Sequence, residues 1–529
     1  MKLLLAMPYT TIYPVGIVYI SAALKRAGHT VDCTVFNNHE AFAKQVENGY
    51  DFVATGGLTS EYGKLKHITD IARKARTRTI VGGGIITSEP ELMSQALQVD
   101  YGVIGEGEET IVELLSCLEN NGAISSVQGL CYPEQGEYRR TASRKQIDNL
   151  DAMPWPDYES FGFDGHLDTL KPTNQYSYDV FDNPREYPIV ASRSCPFLCT
   201  FCYHPCGNKY RQRSLDSIME ELKERVPKHR INIVGIYDEL FSNNKERLYE
   251  FCRRFKEFTD TLSWPVKWGC QMRVGDLDDS QLETMKDSGC YIVSYGFESY
   301  SPDVLKSMKK YIKPEQIHTA IHKTMDHNIS IQGNFIFGDV AETMDTVMET
   351  LSFWKAHPEA GIRLVLIRAY PDSELYQYCL REGLIKDRLR YIKEGMVDCL
   401  NMTQMTKREF NRMKTLLHLY AVKYSFYTTP LAIGPNSVTV QCPHCQETIT
   451  YNNYWVRGVF YNHIMYCRHC RKRFSSVNRW HKYYAKCTPL IVVKYKIDDA
   501  LGKMKAKLIT KLKSYPLVWH LYHKFKRGA

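Results

Sequence analysis

No run of about 18 consecutive apolar residues occurs in the sequence, so a membrane-spanning helix is not expected. Internal repeats and low-complexity tracts are also missing. No loop reads G-x-G-x-x-G, which disfavours a dinucleotide site. A disulfide framework is not expected either, because the Cys that cluster among the 17 do so at metal-ligand spacings, in a chain of 529 residues. The opening MKLLLAMPYTTIYP is a short apolar run broken by prolines rather than a secretory leader. A reducing, cytoplasmic setting is therefore expected. What is present is globular: 44% hydrophobic, 24% charged and 36 Tyr, with a net charge of +9 weighted towards the C-terminus. The length exceeds one core and suggests about three or four units.

The most specific stretch is Ser194-Cys195-Pro196-Phe197-Leu198-Cys199-Thr200-Phe201-Cys202-Tyr203, which follows the strand-like run Tyr187–Ala191. Three thiolates at C-x3-C-x2-C suit a metal that takes three protein ligands and keeps one position open. The competing reading is three buried thiols, or a zinc site completed by His204 or Cys206. The spacing, the aromatic Phe201 and the preceding strand resemble the signature of the radical S-adenosylmethionine (SAM) superfamily. That resemblance implies a [4Fe–4S] cluster held by Cys195, Cys199 and Cys202, with SAM on the fourth iron and Phe201 beside it.

Upstream, strands are expected at Lys2–Met7, Thr30–Phe36, Asp51–Thr55, Thr79–Val81 and Val99–Ile104, with helices between them. This alternation predicts a doubly wound parallel sheet, whose ligands bind at the carboxyl ends of the strands. The loops there are glycine-rich: Gly56-Gly57-Leu58, Gly82-Gly83-Gly84 and Gly105-Glu106-Gly107-Glu108-Glu109-Thr110. Glycine lets a large ligand approach the backbone. Together with Pro14-x-Gly16 and Ala27-Gly28-His29, these loops resemble the cobalamin-binding domain that precedes many radical SAM enzymes. The resemblance assigns corrinoid contacts to Pro14, Gly16, Gly56, Leu58, Gly82, Gly83, Gly105, Glu106 and Gly107. The family's D-x-H-x-x-G motif is absent from the first loop, so no histidine there should reach cobalt. The bland alternative is a sheet that serves only as scaffold.

A Pro-rich, extended linker is expected between the two units, around Pro154-Trp155-Pro156. Beyond it, strand-like runs at Pro188–Ser192, Ile231–Tyr237, Val266–Met272, Tyr291–Phe297, Ser330–Phe337 and Arg363–Arg368 predict a partial (β/α)6 barrel with function at the strands' C-terminal ends. By resemblance, Asp238, Glu239, Arg273 and Glu298 there contact SAM. Asp238 could instead cap a helix, and Arg273 could make an ordinary ion pair. The Asp238–Asn244 segment resembles D-x-x-F-x-x-N, and Phe335–Thr343 resembles F-x-x-G-x-P-G-E-T with Val340-Ala341 in place of Pro-Gly. No residue can be singled out as catalytic among so many tyrosines.

The C-terminal third holds Cys442-x2-Cys445 and Cys467-x2-Cys470 with 21 residues between the pairs, a zinc-ribbon pattern whose alternative is a second Fe–S site. From Leu501 onward eight Lys/Arg meet no acidic residue. A basic amphipathic helix with aromatics suits an anionic membrane surface or a solvated docking face. Nucleic acid is disfavoured because no stacking platform is visible.

The expected class is α/β: a cobalamin-binding-like sheet (1–130), a linker (131–185), a radical SAM barrel (186–395), a helical extension (396–437), a zinc ribbon (438–475) and a basic tail (476–529). The resemblance implies cleavage of SAM to a 5′-deoxyadenosyl radical and cobalamin-dependent C-methylation of an unactivated carbon. Radical rearrangement, cyclisation or oxidation is the alternative within that class. tRNA methylthiolation is disfavoured because Cys33, Cys117 and Cys131 are scattered. A non-enzymatic zinc-ribbon scaffold is the remaining option. The implied partners are an electron donor such as flavodoxin or ferredoxin and a small-molecule or lipid-linked substrate.

Overall fold

A computed structural model describes residues 1–9, 13–173, 177–242, 244–396, 400–454 and 461–513. Expectations that touch Thr10–Ile12, Asn174–Tyr176, Asn243, Cys399, Trp455–Phe460 and residues from 514 onward lie outside the described residues.

The first unit is a seven-stranded sheet. Its strands are β1 (Lys2–Pro8), β2 (Thr30–Phe36), β3 (Phe52–Gly56), β4 (Arg78–Gly82), β5 (Tyr101–Val103), β6 (Leu130–Glu134) and β7 (Glu137–Arg140), in the order β2-β1-β3-β4-β5-β6-β7. The first five are parallel, and the last two form an antiparallel hairpin on the edge. Continuous apolar runs such as Leu3-Leu4-Leu5-Ala6 are buried, as a sheet covered on both faces requires. The hairpin corrects the expected boundary at 130, since the sheet continues through Arg140 and takes the start of the predicted linker with it.

The rest of that linker is not a loose extended strap. Leu150–Ala152 and Glu159–Phe161 form single turns and Phe163–Thr169 a helix. Tyr158, Phe161 and Phe163 are buried within one cluster that runs from Leu3 and Val18 into Tyr187 and Trp268 of the second unit. Asp157 accepts from Ser21 Oγ at 2.5 Å and pairs with Lys25 at 2.8 Å, while Tyr158 Oη donates to the Pro188 carbonyl at 2.7 Å. The connection is therefore a packed joint.

The second unit follows the prediction of six parallel strands: β8 (Glu186–Ile189), then β11 (Ile233–Ile236), β12 (Lys267–Met272), β13 (Cys290–Glu298), β14 (Ser330–Phe337) and β15 (Arg363–Leu366), in spatial order of sequence. Between β8 and β11 a short pair, β9 (Ser192–Arg193) and β10 (Arg211–Gln212), closes the loop that carries the three cysteines. Short polar side chains start the helices between the strands. Ser214, Asn244, Asp278 and Thr343 each accept from a first-turn amide. Asn244, not Asp238, caps the helix Lys245–Thr259.

The C-terminal module has two three-stranded sheets, β16-β21-β20 and β17-β18-β19, from β16 (Tyr427–Thr428), β17 (Ala432–Gly434), β18 (Ser437–Gln441), β19 (Thr448–Asn452), β20 (Asn462–Tyr466) and β21 (Arg473–Val477). It sits at the N-terminal ends of the barrel strands. Tyr466 Oη donates to the Ile331 carbonyl at 2.8 Å, and Ser330 Oγ to the Arg471 carbonyl at 3.2 Å. Asp179, buried and pushed up to about 7 by burial, accepts from the Tyr466 amide at 3.0 Å. The polar, aromatic segment before β8 is thus a wedge between ribbon and barrel. Among the described residues no helix is long and apolar enough to cross a membrane.

Candidate active site

The cysteine loop is fastened by backbone bonds to elements far away in sequence. Thr200 N–H donates to the Met308 carbonyl at 3.1 Å, and Leu375 N–H to the Thr200 carbonyl at 2.8 Å. Ser194 adopts φ +68, and its hydroxyl donates to the Cys206 carbonyl at 3.1 Å. Phe201 packs with the cluster of Val304, Met308 and Ile367. Cys195, Cys199 and Cys202 are half-buried and free. The Cys199 thiol is pulled down to about 7, chiefly by its hydrogen bond with the Cys202 thiol and further by the Lys310 ammonium. The three sulfurs do not all converge within 4.8 Å of one another, as the four ribbon sulfurs do.

The carboxylates and arginine expected around SAM are distributed differently. Glu298, at φ +62 on the end of β13, pairs with Lys310 at 2.9 Å, and both are largely buried. This pair lies over Gly296, where an added Cβ would meet Glu298 Oε1 at 2.3 Å and Lys310 Nζ at 2.5 Å. Arg273 does not present a free fork. Its guanidinium donates to the carbonyls of Lys310 (3.2 Å) and Tyr311 (2.8 Å) and stacks 4.1 Å over the Phe197 ring. Asp238 is buried, accepts from the Ala191 amide at 2.8 Å and is pushed up to about 7 by burial. Glu239 is half-exposed and meets His204 Nδ1 at 2.9 Å. In the loop after β14, Glu342 is buried and accepts from the Gly338 amide at 3.2 Å and from the Thr346 hydroxyl at 2.8 Å, an internal staple where the Val340-Ala341 departure falls. Lys310 carried no spacing signal; only its packing reveals it.

The glycine loops of the first sheet face this loop directly. Tyr203, next to Cys202, donates to the Gly84 carbonyl at 3.0 Å, and a Cβ on Gly84 would meet its ring at 3.3 Å. Gly56, Gly82 and Gly83 serve backbone-to-backbone approach: a Cβ at Gly56 would meet the Gly82 carbonyl oxygen at 3.0 Å, and one at Gly83 the Gly57 backbone at 2.9 Å. Gly16, beside the cap residue Pro14 of the helix Val15–Arg26, and Gly105 at φ +75 have open space where a Cβ would stand, while Gly107 packs against Ile20. Leu58 is 57% exposed, as are Tyr9 (61%), Leu198 (56%) and Tyr311 (71%), all in loops at the carboxyl ends of strands from both sheets. Apolar side chains left bare around one mouth are what a large, flat-faced ligand would cover.

Glu106 has a different role from the expected one. Its carboxylate accepts from Arg193 at 2.7 Å, from Arg211 at 2.7 Å and from the Ile147 amide at 2.8 Å, and it is 3% exposed. Glu108 takes the other arm of Arg193 at 2.5 Å. Although burial pushes it up, the bonds from Arg211 and Arg193 hold Glu106 below the usual carboxylate range. The Gly-Glu-Gly-Glu run is therefore the ionic clasp between the two units, and its partner Arg193 lies two residues ahead of Cys195.

In the ribbon, Cys442, Cys445, Cys467 and Cys470 bring four sulfurs within 4.8 Å of one another, with Cys442–Cys470 at 3.8 Å and Cys445–Cys467 at 3.6 Å. A tetrahedral zinc with bonds of about 2.3 Å has sulfur edges of about 3.8 Å. His444 bonds the Arg473 carbonyl at 2.9 Å and leaves the ligand set to the cysteines.

Comparison with known proteins follows the same division. The B12 binding domain model matches residues 1–115, and the radical SAM superfamily model matches residues 189–353. An uncharacterized methyltransferase of Pyrococcus horikoshii is 27% identical over 453 residues, covering 81% of this chain and 93% of that protein. The anaerobic magnesium-protoporphyrin IX monomethyl ester cyclase of Cereibacter sphaeroides is 27% identical over 394 residues, covering 72% of this chain and 62% of the cyclase. The radical SAM methyltransferase TsrM of Kitasatospora setae, solved with cobalamin and a [4Fe–4S] cluster bound, superposes with a TM-score of 0.59 at 16% identity over 72% of this chain and 76% of that one. With both family models matched in this order on a joined sheet and barrel, the chain belongs to the radical SAM enzymes that carry an N-terminal B12-binding domain.

Proposed function

We propose that the chain is a cobalamin-dependent radical SAM methylase acting on an unactivated carbon. The observation that carries this reading is the direct seating of the cysteine loop on the glycine loops, through Tyr203–Gly84 and the Glu106–Arg193 clasp. In this reading Cys195, Cys199 and Cys202 hold the cluster, and the open space at Gly16 and Gly105 with the bare Leu58 and Tyr9 receives the corrinoid. When bound, the cluster with SAM supplies a 5′-deoxyadenosyl radical and the corrinoid supplies the methyl group. The chain's own residues position and exclude. Lys310 offsets negative charge beside the thiols, Phe197 and Phe201 wall the loop, and Arg273 fixes the Lys310–Tyr311 backbone. SAM would meet Glu298 and Lys310 as one paired unit, with Glu239 and His204 at the rim. The methyltransferase relative supports methyl transfer. The cyclase relative supports a second reading, in which the radical closes a ring with no methyl transferred.

Product counting separates the two. With the chain reconstituted anaerobically and given a one-electron donor such as flavodoxin or ferredoxin, a methylase yields S-adenosylhomocysteine and 5′-deoxyadenosine in equal amounts. A cyclase yields 5′-deoxyadenosine alone. The substrate is sought by comparing lipids and metabolites of cells with and without the protein. Cys199→Ala behaving like wild type would sink both readings. The free state of the described cysteines supports a reducing, cytoplasmic setting.

The helix Thr488–Lys513 supports contact with an anionic membrane surface. Ile491 and Tyr495 pack inward, whereas Leu490, Val493, Ile497, Leu501 and Met504 form an exposed stripe at spacings of three and four, with Trp480 and Tyr483 bare nearby. A chain cut at Cys487 should lose binding to phosphatidylglycerol vesicles; equal binding by the cut chain refutes the membrane contact.

A further inference from the structure

Outside the site described above, three histidines meet on the outer face of the barrel. His318 and His322 are four residues apart on the helix Pro314–Asp326, so one helical turn brings their rings to a centroid distance of 4.2 Å. His357 ends the neighbouring helix Met344–Ala356 and lies 5.2 Å from each of them. One ring nitrogen from each of the three falls within 4.8 Å of the others, the only such group besides the ribbon cysteines among the described residues. We propose that His318, His322 and His357 form a third metal site, for a divalent transition ion of the zinc, copper or nickel kind.

Several features favour a ligand set over a chance gathering of rings. His322 Nε2 is buried and has no hydrogen-bond partner among the described residues, a state a metal bond would relieve. Glu359 Oε1 stands 3.6 Å from His357 Nδ1, placed to orient that imidazole or to become a fourth ligand. His318 is exposed, which leaves an entry path, while Phe353 packs against both His318 and His357 and shields the other side. Imidazole bonds of about 2.0–2.1 Å put nitrogens about 3.3 Å apart around a tetrahedral ion, so a bound ion would draw the three rings in from their present spacing of within 4.8 Å. Three imidazoles with open positions suit borderline ions, whereas Mg2+ and Ca2+ prefer oxygen. The two helices follow β13 and β14, so the bound ion would clamp them together outside the barrel wall.

The test uses the full chain with cluster and ribbon already loaded, titrated with Zn2+ against a competing chelator. Wild type is expected to take up one further equivalent, and His318→Ala/His322→Ala to lose it or to bind at least tenfold more weakly. In wild type loaded instead with Cu2+, electron paramagnetic resonance is expected to show nitrogen splitting from three imidazoles, reduced in His357→Gln. Unchanged cluster absorbance and an unchanged metal-free melting temperature in the variants rule out misfolding as the cause of the loss. No further equivalent in wild type, or one kept in full by the double variant, overturns the proposal.

Discussion

Removing the Glu106 carboxylate tests whether the two units are joined by charge. In Glu106→Ala, Arg211 loses its ion pair at a site where its side chain is 3% exposed, while Arg193 keeps Glu108 at 2.5 Å. Stripping one partner from a buried pair costs about 3–5 kcal/mol, because the charge left behind stays desolvated. With Arg193 still compensated, and with the Ile147 and Cys206 carbonyls still accepting from Arg211, the lower end applies, about 3 kcal/mol. For a unit of this size that corresponds to a melting temperature lower by roughly 6 °C. The pH dependence carries a sign. The folded-state pKa of Glu106 is depressed, so its contribution is fully present above its unfolded value of about 4.3 and fades as pH falls through the folded value. Differential scanning calorimetry of corrinoid-free protein reads the stability, and the ratio of S-adenosylhomocysteine to 5′-deoxyadenosine reads the coupling of the units. The barrel alone should still cleave SAM, so the ratio should fall with the melting temperature. A corrinoid-free variant that melts within about 1 °C of wild type, yet no longer retains corrinoid, would refute the clasp and return Glu106 to ligand duty.

Lys310→Met leaves Glu298 buried and unpaired, a loss of about 3 kcal/mol in denaturant unfolding; adding Glu298→Gln should recover most of it, and a coupling near zero in the double-mutant cycle would contradict the pairing. Glu186, buried against Tyr178 and Tyr237, is raised by burial to about 7, so its stabilising protonated form is complete below about pH 4.3 and is lost as pH rises through 7. That window is worth roughly 3 kcal/mol, and Glu186→Gln should flatten it in melts run from pH 4.5 to 8. Cys445→Ser should release zinc, measured by metal analysis, and expose the barrel end to proteolysis near Tyr291 and Ser330; an unchanged digestion pattern would separate the ribbon from barrel stability.

What the sequence made legible follows the range over which each signal acts. The six barrel strands were readable because apolar runs alternate with capped helices, a pattern local to about 15 residues. The hairpin Leu130–Arg140 was not, since Pro133 and the polar Glu137-Tyr138-Arg139-Arg140 look like turn chemistry; both are tolerated only because this is the sheet's edge. The three cluster cysteines and four ribbon cysteines carried their own spacing. The partners of Glu298, Arg273 and Glu106 did not, because Lys310 lies 12 residues from Glu298, and Arg193 lies 87 from Glu106. An acidic residue at a strand end reads the same in sequence whether it faces a ligand or an arginine. The His318–His322 spacing was in plain view, but its third member comes from another helix.

The position of the ribbon decides what it can do. A six-stranded barrel is open: β8 and β15 do not pair, so the N-terminal end of its core lacks the closure that eight strands supply. That end is where Tyr178, Tyr291, Ile292 and Ile233 form a buried cluster together with Tyr466 of the ribbon. Arg468 reaches Asp182 at 2.5 Å, and Arg471 is buried among the same tyrosines. Cys467 follows Tyr466 directly, so the metal would fix the residue that plugs the core. The cysteine loop opens at the opposite, C-terminal ends of the strands. On the proposed function, a ribbon at the end opposite the cysteine loop would stand away from the substrate, and substrate selection would fall to the mouth, where Tyr9, Leu58, Leu198, Tyr311 and the half-exposed Tyr370 are bare. Substituting Tyr370 or Leu58 should change which substrate is turned over, while ribbon variants should change only how much folded enzyme there is.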